Sequence, residues 1–147
     1  MYSMTEVELS HPALLELFAA LADSLGKTGQ DELTSGLTGT DVIVAVVAWH
    51  DGKAVGCGLL RREDQHKAEI RRMYSNQPGV GSAILQYLEL YAGKHDFTAL
   101  LSAVRIINSK AVNFFLHKGF KKCAGYGKYR YSSQVICLEK ALPNIHP

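Results

Sequence analysis

An almost unbroken run of β-branched and small apolar residues, DVIVAVVAW from Asp41 to Trp49, constrains the fold of this chain most. A run of this kind is typical of a strand that is buried on both faces of a sheet. The next residues, His50-Asp51-Gly52-Lys53, contain an Asp-Gly turn signal, and Ala54–Arg62 predicts the returning strand of an antiparallel hairpin. We therefore expect a sheet with this hairpin in its interior.

Hydrophobic periodicity predicts the remaining elements. Alternating or β-branched segments predict five further strands: Met4–Leu9, Ala68–Tyr74, Phe97–Val104, Phe120–Gly125 and Tyr131–Glu139. Apolar residues at helical spacing predict three helices: one from a Ser10 cap to a stop at Gly26, one over Gly79–Ala92, and one over Asn108–Lys118 closed by Gly119. Lys27–Thr40 is predicted to be mainly a loop, with one helical turn near Asp31–Leu37. This order predicts one α/β (α+β) domain over residues 1–147 with a mixed sheet.

Composition narrows the class of protein. The chain has 147 residues, 47% of them hydrophobic and 20% charged, which is ordinary for a soluble globular protein. A net charge of +2 gives no argument for nucleic acid or an anionic membrane as a partner. The histidines show no metal-ligand spacing, so no metal is expected. Three cysteines without a CxxC pair fit a reducing compartment, and we expect a cytoplasmic protein without a membrane span.

Three glycine patterns compete as a phosphate site. Gly26-Lys27-Thr28 resembles the end of a Walker A loop, but the glycine required five residues earlier is Leu21. Gly79-Val80-Gly81 begins like a dinucleotide fingerprint, but its third glycine is Ile84. The remaining pattern is a strand, a short turn, Gly-x-Gly and a helix. Its unblocked N–H groups at the positive end of a helix would suit a pyrophosphate, and a plain glycine turn is the alternative.

The flanking residues carry a resemblance to a known family. AEIRRMY (Ala68–Tyr74), GVGSAILQYLE (Gly79–Glu89) and NSKAVNFFLHKGF (Asn108–Phe120) resemble, in this order, the motifs of the GNAT superfamily of acyl-CoA-dependent N-acetyltransferases. The resemblance implies a central mixed sheet flanked by helices. It also implies that the parallel strands Ala68–Tyr74 and Phe97–Val104 splay apart around a cleft for the cosubstrate, acetyl-CoA.

The same resemblance implies which residues would contact acetyl-CoA. The pantetheine arm would pair with the backbone of Met73 and Tyr74, and Asn108 would reach its amides. Phe115 would pack near the thioester. The pyrophosphate would meet backbone N–H groups in the segment that contains Gln77, Gly79, Val80, Gly81 and Ser82.

The reaction that the family carries out is acyl transfer to an amine by direct attack. Glu69 is the implied general base, acting through a water, and a backbone N–H near Met73 or Tyr74 would stabilise the oxyanion. The alternative for Glu69 is a salt bridge with Arg71, which lies on the same strand face at a spacing of two residues. The acceptor would be a small-molecule or peptide amine, and a homodimer is expected only by analogy.

Two departures from the family pattern leave other functions open. Only Ser75-Asn76-Gln77-Pro78 separate Tyr74 from Gly79, a shorter loop than usual, and Asn76 stands where the motif has Arg or Gln. Phe115 replaces a tyrosine that often protonates the leaving thiolate, although a thiol with a pKa of about 8.5 can leave without help. A non-catalytic acyl-CoA-binding or sensing module, and a nucleotide-binding or structural domain, therefore remain as alternatives.

Overall fold

The computed structural model of the chain describes residues 2–34 and 41–143. Its strands are β1 (Ser3–Val7), β2 (Val42–His50), β3 (Lys53–Arg62), β4 (Lys67–Ser75), β5 (Ala99–Arg105), β6 (Lys121–Lys122) and β7 (Val135–Ala141). Its helices are α1 (Pro12–Thr34), α2 (Val80–Lys94) and α3 (Ser109–His117). Over the described residues the strands form one seven-stranded sheet in the order β1-β2-β3-β4-β5-β7-β6. The β4–β5 pair is parallel and the β1–β2, β2–β3, β5–β7 and β6–β7 pairs are antiparallel, so the prediction of a mixed sheet is confirmed.

The chain divides into two compact units. Unit 1 comprises the residues up to Arg62 together with Ile70–Tyr91, and unit 2 comprises Glu63–Glu69 together with the residues from Ala92 onward. The assignment of the whole chain to a single domain stays a prediction.

Unit 1 is built on the predicted hairpin. Val46 and Val47, which are adjacent and point to opposite faces of β2, are both fully buried, as the β-branched run predicted. The core cluster under α1 consists of Leu14, Leu17, Ala45, Val47, Cys57 and Leu59. In α2, the apolar residues Val80, Ile84 and Leu88 are fully buried. Helical packing therefore covers the hairpin strands that the sequence placed in the interior.

Unit 2 is organised around β5. The first residues of β4 pair with it in parallel, in the register Lys67↔Ala99, Ala68↔Leu100 and Glu69↔Leu101. On its other side β7 runs antiparallel along all seven residues, from Ala99↔Ala141 to Arg105↔Val135. Leu100 and Leu138 are fully buried, and Phe115 of α3 and Phe120 are nearly so. Unit 2 thus has its own apolar core.

Three sequence predictions were wrong at their boundaries. Gly26 does not stop α1, which continues to Thr34. Glycine costs about 1 kcal/mol inside a helix relative to alanine, but it keeps its N–H group and no proline follows it before Thr34. The last two strands are shorter than predicted, Lys121–Lys122 and Val135–Ala141, and a 3₁₀ turn at Gly127–Tyr129 lies between them. The rest of the predicted Lys27–Thr40 loop, residues 35–40, lies outside the described residues.

Candidate active site

The amino end of α2 supplies a set of backbone donors in unit 1. Gly79 has φ +84°, a left-handed conformation that favours glycine, and its carbonyl accepts the N–H of Ala83 at 3.2 Å. Gly79 is therefore the N-cap of the helix. The N–H of Val80 turns back to the carbonyl of Gln77 at 3.4 Å. Gly81 and Ser82 occupy the next two helical positions, whose N–H groups have no acceptor four residues back within an α-helix.

Two glycines of β3 let this end of α2 approach the sheet closely. A Cβ atom built on Gly56 would lie 2.6 Å from Val80 Cγ1 and 2.9 Å from the carbonyl oxygen of Tyr74. On Gly58 it would lie 3.0 Å from Ile84 Cγ2. Sequence reasoning missed this role, although a Gly-x-Gly spacing inside a strand is itself a signal of close approach. The start of α2 is thus fixed by the absence of two side chains.

Tyr2 contacts the turn that precedes α2. Its hydroxyl donates to the carbonyl of Pro78 at 2.9 Å. A Cβ atom on Gly79 would meet only Tyr2 Cε2, at 4.0 Å, within the range that counts as contact. The space where a Gly79 side chain would lie is therefore almost open.

The backbone of β4 is irregular at Arg72. Arg72 has φ +53°, which is unusual for a residue other than glycine, and its carbonyl accepts a hydrogen bond from the Cys57 thiol at 3.5 Å. The N–H of Tyr74 also points towards β3, because it donates to the Cys57 sulfur. Burial raises the pKa of that thiol to about 12. Since backbone groups alternate along a strand, those of Met73 point to the opposite edge of β4.

Glu69 is a fully buried carboxylate in unit 2, with an exposed fraction of 0%. The hydroxyl of Tyr126 donates to its Oε2 atom at 2.6 Å. Burial, followed by the negative charge of Glu69 and this hydrogen bond, raises the pKa of Tyr126 far above its usual value. The sequence identified Glu69 but not this partner, since the two residues are 57 positions apart and no motif joins them.

The start and the middle of α3 contain the two other predicted contacts. Asn108 is the N-cap, and its side-chain oxygen accepts the N–H of Ala111 at 3.2 Å. This leaves its Nδ2 group as the part that could donate to a ligand. Phe115 packs edge-to-face on Phe114 and Phe120, with ring centroids 5.2 and 5.0 Å apart. It is a core residue of unit 2, and its position near a thioester stays a prediction.

The predicted residues therefore fall into two groups. Unit 1 contains Met73, Tyr74, Gln77, Gly79, Val80, Gly81 and Ser82, and unit 2 contains Glu69, Asn108 and Phe115. Within the described ranges, no three His, Cys, Asp or Glu side chains are grouped so that they could hold a metal ion. Over the same ranges, each helix is too short or too polar to cross a bilayer.

Comparison with known proteins identifies the family of this chain. A profile described as the Acetyltransferase (GNAT) family matches residues 15–120. The chain therefore belongs to the GNAT acetyltransferase family, and the resemblance seen in the sequence is confirmed. No functionally curated protein matches the chain by sequence.

Solved structures share the fold over nearly the whole chain. A protein of Klebsiella pneumoniae, described as a candidate acyl-CoA N-acyltransferase, is 26% identical with a TM-score of 0.82, and the match covers 97% of this chain and 99% of that one. A GNAT family acetyltransferase from Elizabethkingia anophelis, solved with acetyl-CoA bound, is 18% identical with a TM-score of 0.72 and coverages of 96% and 98%. An IAA acetyltransferase from Bacillus cereus is 15% identical with a TM-score of 0.72 and coverages of 97% and 100%. The predicted mixed α/β GNAT fold is thus confirmed.

Proposed function

We propose that the chain is an N-acetyltransferase that transfers the acetyl group of acetyl-CoA to a primary amine. The observation that carries this proposal is the amino end of α2, where Gly79 in a left-handed conformation opens a helix whose first N–H groups are not shielded by side chains at positions 79 and 81. Membership of the family and a relative of the same fold solved with acetyl-CoA support it.

In this proposal the pyrophosphate of acetyl-CoA binds the N–H groups of Gly81 and Ser82, with Gln77 and Val80 completing the turn. Helix dipoles favour anions at this position. Asn76 offers an amide where the family motif has Arg or Gln, so the loop binds the phosphates without a cation of its own at this position. We therefore expect weaker binding of acetyl-CoA than is usual for the family.

The pantetheine arm pairs with the edge of β4. Since the Tyr74 N–H donates to Cys57, we assign the hydrogen bonds with pantetheine to the backbone of Met73, which Tyr74 adjoins along β4. Asn108 donates its Nδ2 group to a pantetheine carbonyl, and Phe115 provides an apolar wall near the thioester.

The chemistry is the attack of a neutral amine on the thioester carbonyl. The nitrogen forms a C–N bond, its proton passes through a water to Glu69, and the C–S bond breaks to release coenzyme A as a thiolate. The N–H of Met73 stabilises the developing oxyanion. A thiol with a pKa of about 8.5 is an adequate leaving group, so Phe115 does not prevent the reaction.

The acceptor is a small-molecule or peptide amine. The specific amine, the assembly into a homodimer and a cytoplasmic location stay predictions.

Two measurements test the proposal. Calorimetric titration with acetyl-CoA is expected to show binding weaker than low micromolar. Release of free thiol, followed with a chromogenic disulfide across classes of amine, is expected to depend on the amine. A lack of acetyl-CoA binding, with no rise in melting temperature at saturating concentrations, would contradict the proposal, since ligand at a hundred times its dissociation constant adds about 2.7 kcal/mol of stability.

Two observations favour a second function. Glu69 is fully buried and position 115 has no hydroxyl group, as in a module that binds acyl-CoA without catalysis. Such a module would bind acetyl-CoA in the calorimeter and release no thiol with any amine.

A further inference from the structure

The Glu69 carboxylate requires a partner because it is removed from water. An isolated buried carboxylate costs several kcal/mol unless hydrogen bonds replace its hydration. The Tyr126 hydroxyl supplies one such bond to Oε2, at 2.6 Å, a length typical of a charge-assisted O–H···O⁻ bond. The bond therefore ties one oxygen of the buried carboxylate to a side chain of the 3₁₀ segment.

The segment that carries Tyr126 is held in a fixed shape. Tyr126 is extended, with φ −129° and ψ 160°, and its carbonyl accepts the N–H of Tyr129 at 2.9 Å at the start of the 3₁₀ turn. The turn folds tightly against Gly125, where an added Cβ atom would lie 2.8 Å from the Cα and the carbonyl oxygen of Arg130. A second glycine, Gly127, takes φ +52°. The backbone around Tyr126 is therefore tightly folded, and the bond to Glu69 holds the end of its side chain.

Other titratable groups occupy the same face of unit 2. The strand registers place Glu139 and Lys121 in the same cross-strand row as Glu69, because Glu69 pairs with Leu101, Leu101 with Glu139 and Glu139 with Lys121. The other titratable groups lie two residues away along the strands or on the 3₁₀ turn: Lys67, Cys123, Cys137 and Tyr129. Lys67 forms a partly exposed ion pair with Glu139 at 3.2 Å. The Lys67 ammonium is thus engaged by a carboxylate other than Glu69.

Tyr126 is suited to donate a hydrogen bond rather than to give up its proton. Burial and the adjacent negative charge hold its pKa far above neutral, so its hydroxyl stays protonated over the working pH range. A donor that is always present stabilises the ionised form of the carboxylate and fixes its orientation.

We propose that Tyr126 is a positioning residue for the general base: its hydroxyl, bonded to Oε2, fixes the orientation in which the Glu69 carboxylate receives the proton of the amine. This inference rests on the proposed function, in which Glu69 is the base.

The first test compares Tyr126→Phe with the wild type. Loss of a hydrogen bond to a charged group changes the equilibrium between its protonated and ionised forms about tenfold or more, and a tenfold change corresponds to one pH unit. We expect the acid limb of the kcat/KM profile to move upward by about one pH unit or more, and kcat below that limb to fall about tenfold. The dissociation constant of acetyl-CoA is expected to stay within about twofold. A merely structural role would lower stability without moving the limb.

Tyr131→Phe is the matched control. It removes a hydroxyl from the same segment, but Tyr131 is 92% exposed, so the profile should not change. An active Tyr126→Phe enzyme with an unmoved acid limb overturns the role of Tyr126 and leaves the proposed function intact. An absence of amine-dependent thiol release from the wild type overturns the proposed function instead.

A second test needs neither activity nor a Tyr126 variant that folds. The short hydrogen bond should give the wild-type protein a downfield, slowly exchanging hydroxyl proton in its NMR spectrum. This signal should move upfield in Glu69→Gln. A wild-type spectrum without the signal, or one that Glu69→Gln does not change, overturns the contact on which the inference depends.

Discussion

The two groups of candidate site residues use different kinds of functional group. At the amino end of α2, the functional groups are backbone N–H groups, and what makes the site is the absence of side chains at Gly79, Gly81 and, beneath them, Gly56. Around Glu69, the functional group is one side chain, and what makes the site is the presence of a second one, Tyr126. Each unit contributes one kind.

This difference predicts opposite sensitivities. A backbone site tolerates a change of side-chain chemistry but not added volume, because its donors are shared by all residues and its geometry depends on close approach. A side-chain site tolerates small changes of shape but not the loss of one functional group. Substitutions in the two regions should therefore affect different measured quantities.

The largest effect is expected at Glu69. Glu69→Gln keeps the volume and removes the base, so kcat should fall at least about a hundredfold, the lower end of the usual contribution of general base catalysis. The dissociation constant of acetyl-CoA should hardly change. Steady-state kinetics across pH and calorimetry measure the two quantities. An unchanged maximal rate and pH profile would remove Glu69 from the mechanism.

The next effect is expected at Gly56. In Gly56→Ala, the new methyl group meets Val80 and the Tyr74 carbonyl below van der Waals distance, and overpacking of this kind costs about 1–3 kcal/mol. We expect the free energy of unfolding to fall by about 2 kcal/mol in urea denaturation, with weaker acetyl-CoA binding. In Gly58→Ala the new methyl group would lie 3.0 Å from Ile84 Cγ2 and 3.4 Å from Leu88 Cδ1, with no backbone atom closer than 3.9 Å, so this variant should cost less. Equal losses of unfolding free energy in the two variants would argue against the close approach of α2 to β3 at Gly56.

A smaller effect separates binding from stability at Gly79. Gly79→Ala should raise the dissociation constant of acetyl-CoA about tenfold, which is about 1.4 kcal/mol. The reason is that alanine is strained in the left-handed conformation of the turn that presents the donors. Gly52→Ala is the matched control: it has φ +75° and open space around it, but lies in the β2–β3 turn. Both variants should lose about 1–2 kcal/mol of stability. Similar acetyl-CoA affinities in the two variants would exclude the turn at Gly79 from the binding site.

The smallest effect is a pH dependence at Cys57. Burial raises the pKa of its thiol from 9.0 to about 12. Below pH 9 the thiol is neutral in both the folded and the unfolded chain, so its contribution to stability is fully present. As the pH rises from 9 towards 12 the thiol ionises in the unfolded chain only, and this contribution is lost. Cys57→Ser cannot ionise in this range. The variant should therefore lose about 1 kcal/mol less stability than the wild type between pH 8 and pH 10, measured by urea denaturation. Parallel stability curves would show that the thiol ionises as it does in the unfolded chain.

Features set by local pattern were predicted well. The β2–β3 hairpin, the start of α2 next to Gly79 and the Asn108 cap of α3 each depend on residues within a few positions of one another. The motifs around Gly79 and Asn108 also sufficed to identify the family. The role of each residue in binding is a separate matter, because the same glycine turn forms with or without a ligand.

Features that depend on distant residues were missed. The left-handed conformation of Arg72 follows no residue preference, and the contact between Glu69 and Tyr126 joins positions 57 apart. The end of α1 was misjudged because glycine is a helix stop only where the chain after it turns away. Local signals thus determined the elements, whereas tertiary packing determined the surroundings of the carboxylate.

The contact between Gly56 and Val80 has a consequence for related sequences. The two positions share one small volume, so a larger residue at 56 requires a smaller one at 80, although the Tyr74 carbonyl limits this exchange. Among homologues that keep the same start of this helix, the sizes of the two residues should covary. The paired sizes of the residues at these two positions in natural sequences would therefore indicate where the helix must begin.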